Sequence, residues 1–387
     1  MPVFATLSLG PGPLTITSPQ AQDNGNFGVE DSLSGSTLAV GAPGEMVSGY
    51  ADAGHVYLFD AKTGASRATL ASPNMQEYGA FGDAVAIRGS VLVVGAPEET
   101  DTGHTDSGNA YVFNATTGAL IRTLTSPNVQ TYGFFGDSVA ISGSMVAIGA
   151  DGETVSGFTD AGHVYVYNPT TGTLLQTLAG PKPDSEAYFG GSVAIGGTTV
   201  VVGDSYATAS GHGDAGLAYV FDGLTGKLLH TLSSPTVQTD AEFGSSVAIG
   251  GALVIVGAPD ETTSEYGLYA GEVYVFDTTT GALKESVTSP NAQDRGYFGG
   301  SVEISGSIAL IGALGETVKG IGGAGHAYLY NTTSGEIVAT LVSPHPQSNG
   351  YFGERLAILG STKAIGAPGE LVTGHGGAGH VYVYRPT

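Results

Sequence analysis

Between Phe81 and Pro127 the chain switches repeatedly between short apolar stretches and polar, glycine-rich ones. Ala84-Val85-Ala86-Ile87 alternates small with branched side chains, the pattern of a strand whose two faces meet different surroundings. Arg88-Gly89-Ser90 is a tight turn. Val91-Leu92-Val93-Val94 is a continuous apolar run, suited to a strand covered on both faces. A long polar loop follows, then a third strand, Ala110-Tyr111-Val112-Phe113, with Tyr111 and Phe113 on one side. Asn114 to Gly118 is a second short turn, and Ala119 to Thr125 a fourth strand closed by Ser126-Pro127, where the free edge of an outer strand tolerates proline. No segment carries a helical period.

This pattern is written seven times. Phe-Gly recurs at Phe27, Phe81, Phe135, Phe189, Phe243, Phe298 and Phe352, with spacings of 54, 54, 54, 54, 55 and 54. Fourteen residues after each Phe stands a glycine (Gly41, Gly95, Gly149, Gly203, Gly257, Gly312, Gly366), which opens Gly-Ala-Pro in four units; eight residues before each Phe stands a proline. The extra residue of the fifth unit falls between Gly257 and Gly271, which marks a surface loop. Units of this length with four antiparallel strands predict propeller blades. The expected fold is therefore all-β, a seven-bladed β-propeller forming a single domain over 1–387. Its blades fall at about 27–73, 81–127, 135–181, 189–235, 243–290, 298–344 and 352–387. The last unit stops at Tyr384, one strand short. The missing strand is expected at Leu14-Thr15-Ile16-Thr17-Ser18-Pro19 (residues 14–19), pairing into the last blade to close the ring.

Composition narrows the function. Glycine is 63 of 387 residues, and cysteine and tryptophan are absent, so no disulfide framework exists. With 41% hydrophobic residues the chain can form a large core. Twelve basic against 35 acidic residues give a formal charge of −23, which argues against nucleic acid and anionic lipid as partners. No apolar run reaches the length of a membrane span, and Met1-Pro2-Val3-Phe4 does not open a visible signal peptide.

Phe81-Gly82 with Gly95-Ala96-Pro97, and Phe243-Gly244 with Gly257-Ala258-Pro259, resemble the FG-GAP repeat of integrin α chains and of bacterial surface and secreted proteins. The resemblance implies a binding or adhesion protein, extracellular or on the cell surface, rather than an enzyme. Calcium-binding members of that family carry an Asp-x-Asp-x-Asp-Gly loop between the first two strands. Here only tight turns stand there (Ser34-Gly35-Ser36, Ser142-Gly143-Ser144, Gly250-Gly251-Ala252), too few oxygens for calcium, so no metal and no cofactor is expected.

Strands that alternate in direction put the short turns after strands one and three on one face of the ring, and the long loops after strands two and four on the other. Binding residues are expected on the long loops. The loop after strand two repeats an acid, at Glu45, Glu99, Glu153, Glu261, Glu316 and Glu370, with Ala207 in the fourth blade. The loop after strand four repeats Gln22, Gln76, Gln130, Gln238, Gln293 and Gln347, with Asp184 in the fourth blade. Two readings stand side by side. The rings satisfy loop backbone and lock neighbouring blades, or the acids form a polar ring around a central funnel for a cation, a basic ligand or a sugar. The fourth blade departs at both long loops together, with Gly203-Asp204-Ser205-Tyr206-Ala207 in place of Gly-Ala-Pro-x-Glu. That departure nominates Asp184, Asp204 and Tyr206 as a single ligand pocket. Tyr78, Tyr132, Phe134, Tyr188, Tyr297 and Tyr351, close before the Phe-Gly pairs, either pack between blades or offer rings to a ligand.

Gly320-Ile321-Gly322-Gly323-Ala324-Gly325 matches a dinucleotide fingerprint as text, but it leads into a strand where the fingerprint must open a helix. His55, His163, His326 and His380 occupy one repeat position in different blades and cannot meet at one metal. The reading is a monomeric, non-catalytic propeller that recognises protein or glycan through its long-loop face. Two alternatives stand beside it: a glycan lyase or hydrolase using funnel carboxylates, and a purely structural module of a larger assembly.

Overall fold

The computed structural model describes residues 12–263 and 267–385; the signal-peptide reading at Met1-Pro2-Val3-Phe4 lies outside the described residues. Seven four-stranded antiparallel sheets stand in a ring, and no helix occurs among the described residues. Blade two shows how the sequence pattern becomes a sheet. Its strands are Val85–Arg88, Val91–Ala96, Asn109–Asn114 and Leu120–Leu124. The second and third run past the apolar stretches because backbone pairing continues to Ala96 opposite Asn109 and Val91 opposite Asn114, whatever the side chains.

Apolar side chains meet between blades. Ala39, Val56, Leu58 and Leu70 of blade one pack against Phe81, Val85, Ile87, Val94 and Tyr111 of blade two, and each later pair of blades repeats the arrangement. The Phe-Gly dipeptide is the wedge of this packing. Phe27 is fully buried, 5.9 Å from the rings of Tyr57 and Phe59 and edge-on to the second. Burying such a side chain contributes about 1.5–3 kcal/mol. The partner glycine explains itself by contact: a Cβ on Gly41 would lie 2.0 Å from the carbonyl oxygen of Gly82 in the next blade, so only glycine lets the two backbones approach.

The ring closes through the amino terminus. Blade seven consists of Leu356–Leu359, Thr362–Ala367 and His380–Tyr384, completed by Leu14–Thr17. Leu14 pairs with Val383 and Thr17 with His380. Ile16, Val381 and Val383 pack with Phe27, Val40 and Tyr57 of blade one, so the joint between last and first blades has the same apolar core as the others. The additional residue of blade five sits at a loop tip. Six blades carry a small bridge between residues three apart, such as Val47 and Tyr50, whereas Thr263 bridges Gly267.

Candidate functional site

The loop after strand two turns back on itself, with the Gly54 N–H donating to the Glu45 carbonyl at 3.0 Å, and this drives the Glu45 side chain between two blades. Glu45 is 0% exposed. It accepts the hydroxyls of Ser18 and Tyr57, and the His55 ring stands 2.8 Å away. Glu99 likewise takes Ser72, Tyr111 and Asn109, and Glu153 takes Ser126, Tyr165 and His163. Glu261, Glu316 and Glu370 sit in the same frame, on Thr236 and Tyr274, on Ser289 and Tyr328, and on Ser343 and Tyr382. In each case the serine or threonine follows the outer strand of the preceding blade. The six glutamates therefore stand inside the joints between blades, shut off from the funnel by their own loops. Removal from water raises the carboxyls of Glu99 and Glu261.

Four of the six repeated glutamines bracket the neighbouring loop backbone, while Gln238 accepts the Thr262 N–H and donates to the Glu261 carboxylate, and the Gln293 amide nitrogen is buried without a hydrogen-bond partner. Gln76 accepts the Thr100 N–H at 3.1 Å and donates to its carbonyl at 3.0 Å; Gln22 does the same at Met46, Gln130 at Thr154 and Gln347 at Leu371. Tyr78 and Tyr132 are exposed, whereas Phe134, Tyr188, Tyr297 and Tyr351 are half-buried.

Blade four has exchanged the whole carboxylate frame. Gly180 stands where other blades have Ser18 or Ser72, Ala207 where they have glutamate, Leu217 where they have His55 or Asn109, and Asp204 where they have Ala42 or Ala96. Asp204 is 2% exposed and hydrogen-bonded to Tyr219, whose equivalents elsewhere serve glutamate; burial pushes the Asp204 carboxyl up to about 8. Of the three residues nominated in this blade, Asp204 is thus internal. Asp184 lies beside its loop and accepts the Ser185 N–H at 3.0 Å. Tyr206, 37% exposed, is the one that lines a cavity.

That cavity, about 660 Å³, lies on the long-loop face over blades three to five. Tyr206 and Tyr188 meet edge-to-face, with ring centroids 5.5 Å apart. Asp137, Asp151, Glu186, Asp214 and Glu242 surround them, and among the described residues no lysine or arginine lines the groove. Glu242 hydrogen-bonds the Tyr206 hydroxyl, and burial with this acid beside it pushes the phenol up to about 12. Burial also lifts Asp151 to about 7 and holds Asp137 well above the usual carboxylate range, with Asp151 adding to it by charge repulsion.

The groove opens into the axis of the ring, sharing Asp137, Gly191 and Ser245 with a central channel of about 380 Å³. The channel wall is made by the first strand of every blade. Most positions there are small or aliphatic, such as Ala86, Ala140 and Ala194, but Glu30, Asp31, Asp83, Asp137 and Glu303 are acidic and Arg355 is basic. Arg355 Nε stands 2.8 Å from Glu30. None of the channel residues, nor Glu186 and Glu242 of the groove, was reachable by looking for repeated loop acids. The available signal was departure from the repeat within strand one: Asp31 stands at the position of Val85 and Val139, Glu303 at that of Ala86, and Arg355 at that of Ser138.

A family model of the FG-GAP repeat matches residues 65–113, 120–167, 176–221 and 231–276. Each matched segment begins in or just before the outer strand of one blade and runs through the three inner strands of the next. This is the phase that the joints demand, because the serine after the outer strand and the glutamate it bonds fall in the same repeat. The protein is a seven-bladed propeller of FG-GAP repeats. No curated protein matches this FG-GAP propeller. Its Phe-Gly and Gly-Ala-Pro elements are the wedge and the close glycine contact described above, and its site-like features lie where blades differ from one another.

Proposed function

We propose that this FG-GAP propeller is a non-catalytic binding module that works outside the cytoplasm and seats a basic segment of a partner protein on its long-loop face. The observation that carries this reading is the Tyr188–Tyr206 groove. It presents aromatic rings flanked by five carboxylates with no cationic side chain in the described lining. Lysine and arginine are recognised by that combination, through ion pairing and through the faces of tyrosine rings. The formal charge of −23 steers such a segment toward the surface. The FG-GAP fold is that of interaction modules, and repeats of this kind are typical of extracellular and surface proteins.

Binding of synthetic Lys/Arg-rich, neutral and acidic peptides, alongside neutral oligosaccharides, tests the reading by calorimetry. The basic peptides are expected to bind, more weakly as salt rises, and to lose at least tenfold in affinity to Tyr206→Ala and to Glu242→Gln. Binding of neutral sugars alone, or turnover of a polysaccharide, would overturn it.

A further inference from the structure

The central channel carries acids that the joints between blades do not use. Glu30 is answered by Arg355. Asp31, Asp83, Asp137 and Glu303 have no basic side chain of their own in the described channel lining. Asp31 is the sharpest case: it is 5% exposed, borders the channel, and neither carboxylate oxygen has a hydrogen-bond partner. A buried carboxyl left in this way costs free energy, and all six other blades keep the position apolar, with Val85, Val139, Val193, Val247, Val302 and Leu356.

The acids are also spread along the axis. Asp83 and Asp137 stand two residues after their Phe-Gly phenylalanines, at the long-loop mouth; Glu30 and Asp31 stand three and four residues after theirs; Glu303 stands five after. At about 3.3 Å per residue the ladder spans about 10 Å. Among the described residues no three carboxylates or histidines stand close enough together to hold a metal ion. A single compact cation therefore does not suit the spacing, whereas positive charges set along a flexible aliphatic chain do. The Arg355 side chain, an alkyl stem ending in a cation on Glu30, shows inside the same channel the chemistry it accommodates.

We propose that the central channel is a binding site for a linear aliphatic polyamine, threaded from the long-loop mouth, with its ammonium groups on Asp83 and Asp137 at the entrance and on Asp31 and Glu303 below. The aliphatic segments between the charges lie against small side chains such as Ala140 and Ala194. This site is distinct from the peptide groove, although the two meet at Asp137, Gly191 and Ser245.

Titration calorimetry of the full chain with spermidine and spermine tests it, with n-butylamine and calcium as comparison cations. One polyamine per chain is expected, at least tenfold tighter than the monoamine. Asp83→Asn combined with Glu303→Gln is expected to weaken it at least tenfold. The exposed-surface pair Glu77→Gln with Glu336→Gln should leave affinity within twofold, and so should Tyr206→Ala, which removes the peptide groove alone. Stoichiometry above one, equal loss in the surface pair, calcium binding with the same dependence on Asp83 and Glu303, or absence of heat at millimolar polyamine would each overturn the proposal.

Discussion

The hydroxyl of Ser18, just past the amino-terminal strand that completes blade seven, donates to the carboxylate of Glu45 in blade one, and that carboxylate also accepts Tyr57. One buried acid thus holds the two ends of the ring together at their seam. Removing it strands two hydroxyls away from water. Glu45→Ala is expected to cost more than Ser18→Ala, each by about 1–3 kcal/mol or more, and the double variant should cost clearly less than the sum. Denaturant titration of the four proteins checks this; strict additivity would mean that the contact does not join the blades.

Deletion of residues 1–19 removes both Ser18 and the strand Leu14–Thr17, leaving the edge of His380–Tyr384 unpaired. The thermal midpoint is expected to fall by more than about 5 °C, given a loss of several kcal/mol. Supplying residues 12–19 as a peptide should restore part of it. An unchanged melt would contradict closure by this strand.

Blade four can be rebuilt to the common plan. Ala207→Glu alone places a second carboxylate near buried Asp204 and is expected to destabilise. Gly180→Ser, Ala207→Glu and Asp204→Ala together should recover wild-type stability or exceed it. Gly180 has room for the added atoms, since a Cβ placed there would meet its nearest neighbours, Asp204 and Phe189, at 3.6 Å. Differential scanning calorimetry of the single and triple variants decides between coupled exchange and unrelated drift.

Burial raises Glu30 and Glu303 to about 7, Asp151 to about 7 and Asp204 to about 8. Each carboxyl binds its proton more tightly folded than unfolded. Its contribution to stability is whole below the ordinary carboxylate range, near pH 4, and is lost as pH rises through 7 to 8. The melting temperature is therefore expected to be higher at pH 5 than at pH 9. Asp31, raised by burial with Glu30 and Glu303 nearby, belongs to the same set. Asp31→Val should raise stability at pH 8 by about 1–3 kcal/mol and flatten the pH dependence.

The repeat arithmetic made the ring legible, because Phe27 and its six equivalents must each fill the same wedge and Gly41 and its equivalents the same contact. Strand count, blade number and the borrowed strand all follow from that constraint. The candidate site was harder to read. A conspicuous loop acid such as Glu45 looks alike in sequence whether it faces solvent or a joint, and only the backward turn fixed by the Gly54–Glu45 bond sends it inward. Tyr206 was legible because blade four departs from its siblings there. Glu303 and Asp31 depart as plainly, but inside a strand, where the alternation of faces alone does not tell channel from core.

The exchange in blade four also has a mechanical side. Six seams carry a glutamate frame, while at the one between blades three and four Gly180 offers no hydroxyl to the Asp204–Tyr219 pair of blade four, and the Ser138 hydroxyl reaches the Gly190 carbonyl at 2.5 Å as its equivalents do at the three following seams. The Tyr188–Tyr206 groove runs across that junction, from Asp137 and Asp151 of blade three to Glu242 of blade five, so a segment seated there as proposed would span the one seam without a glutamate frame.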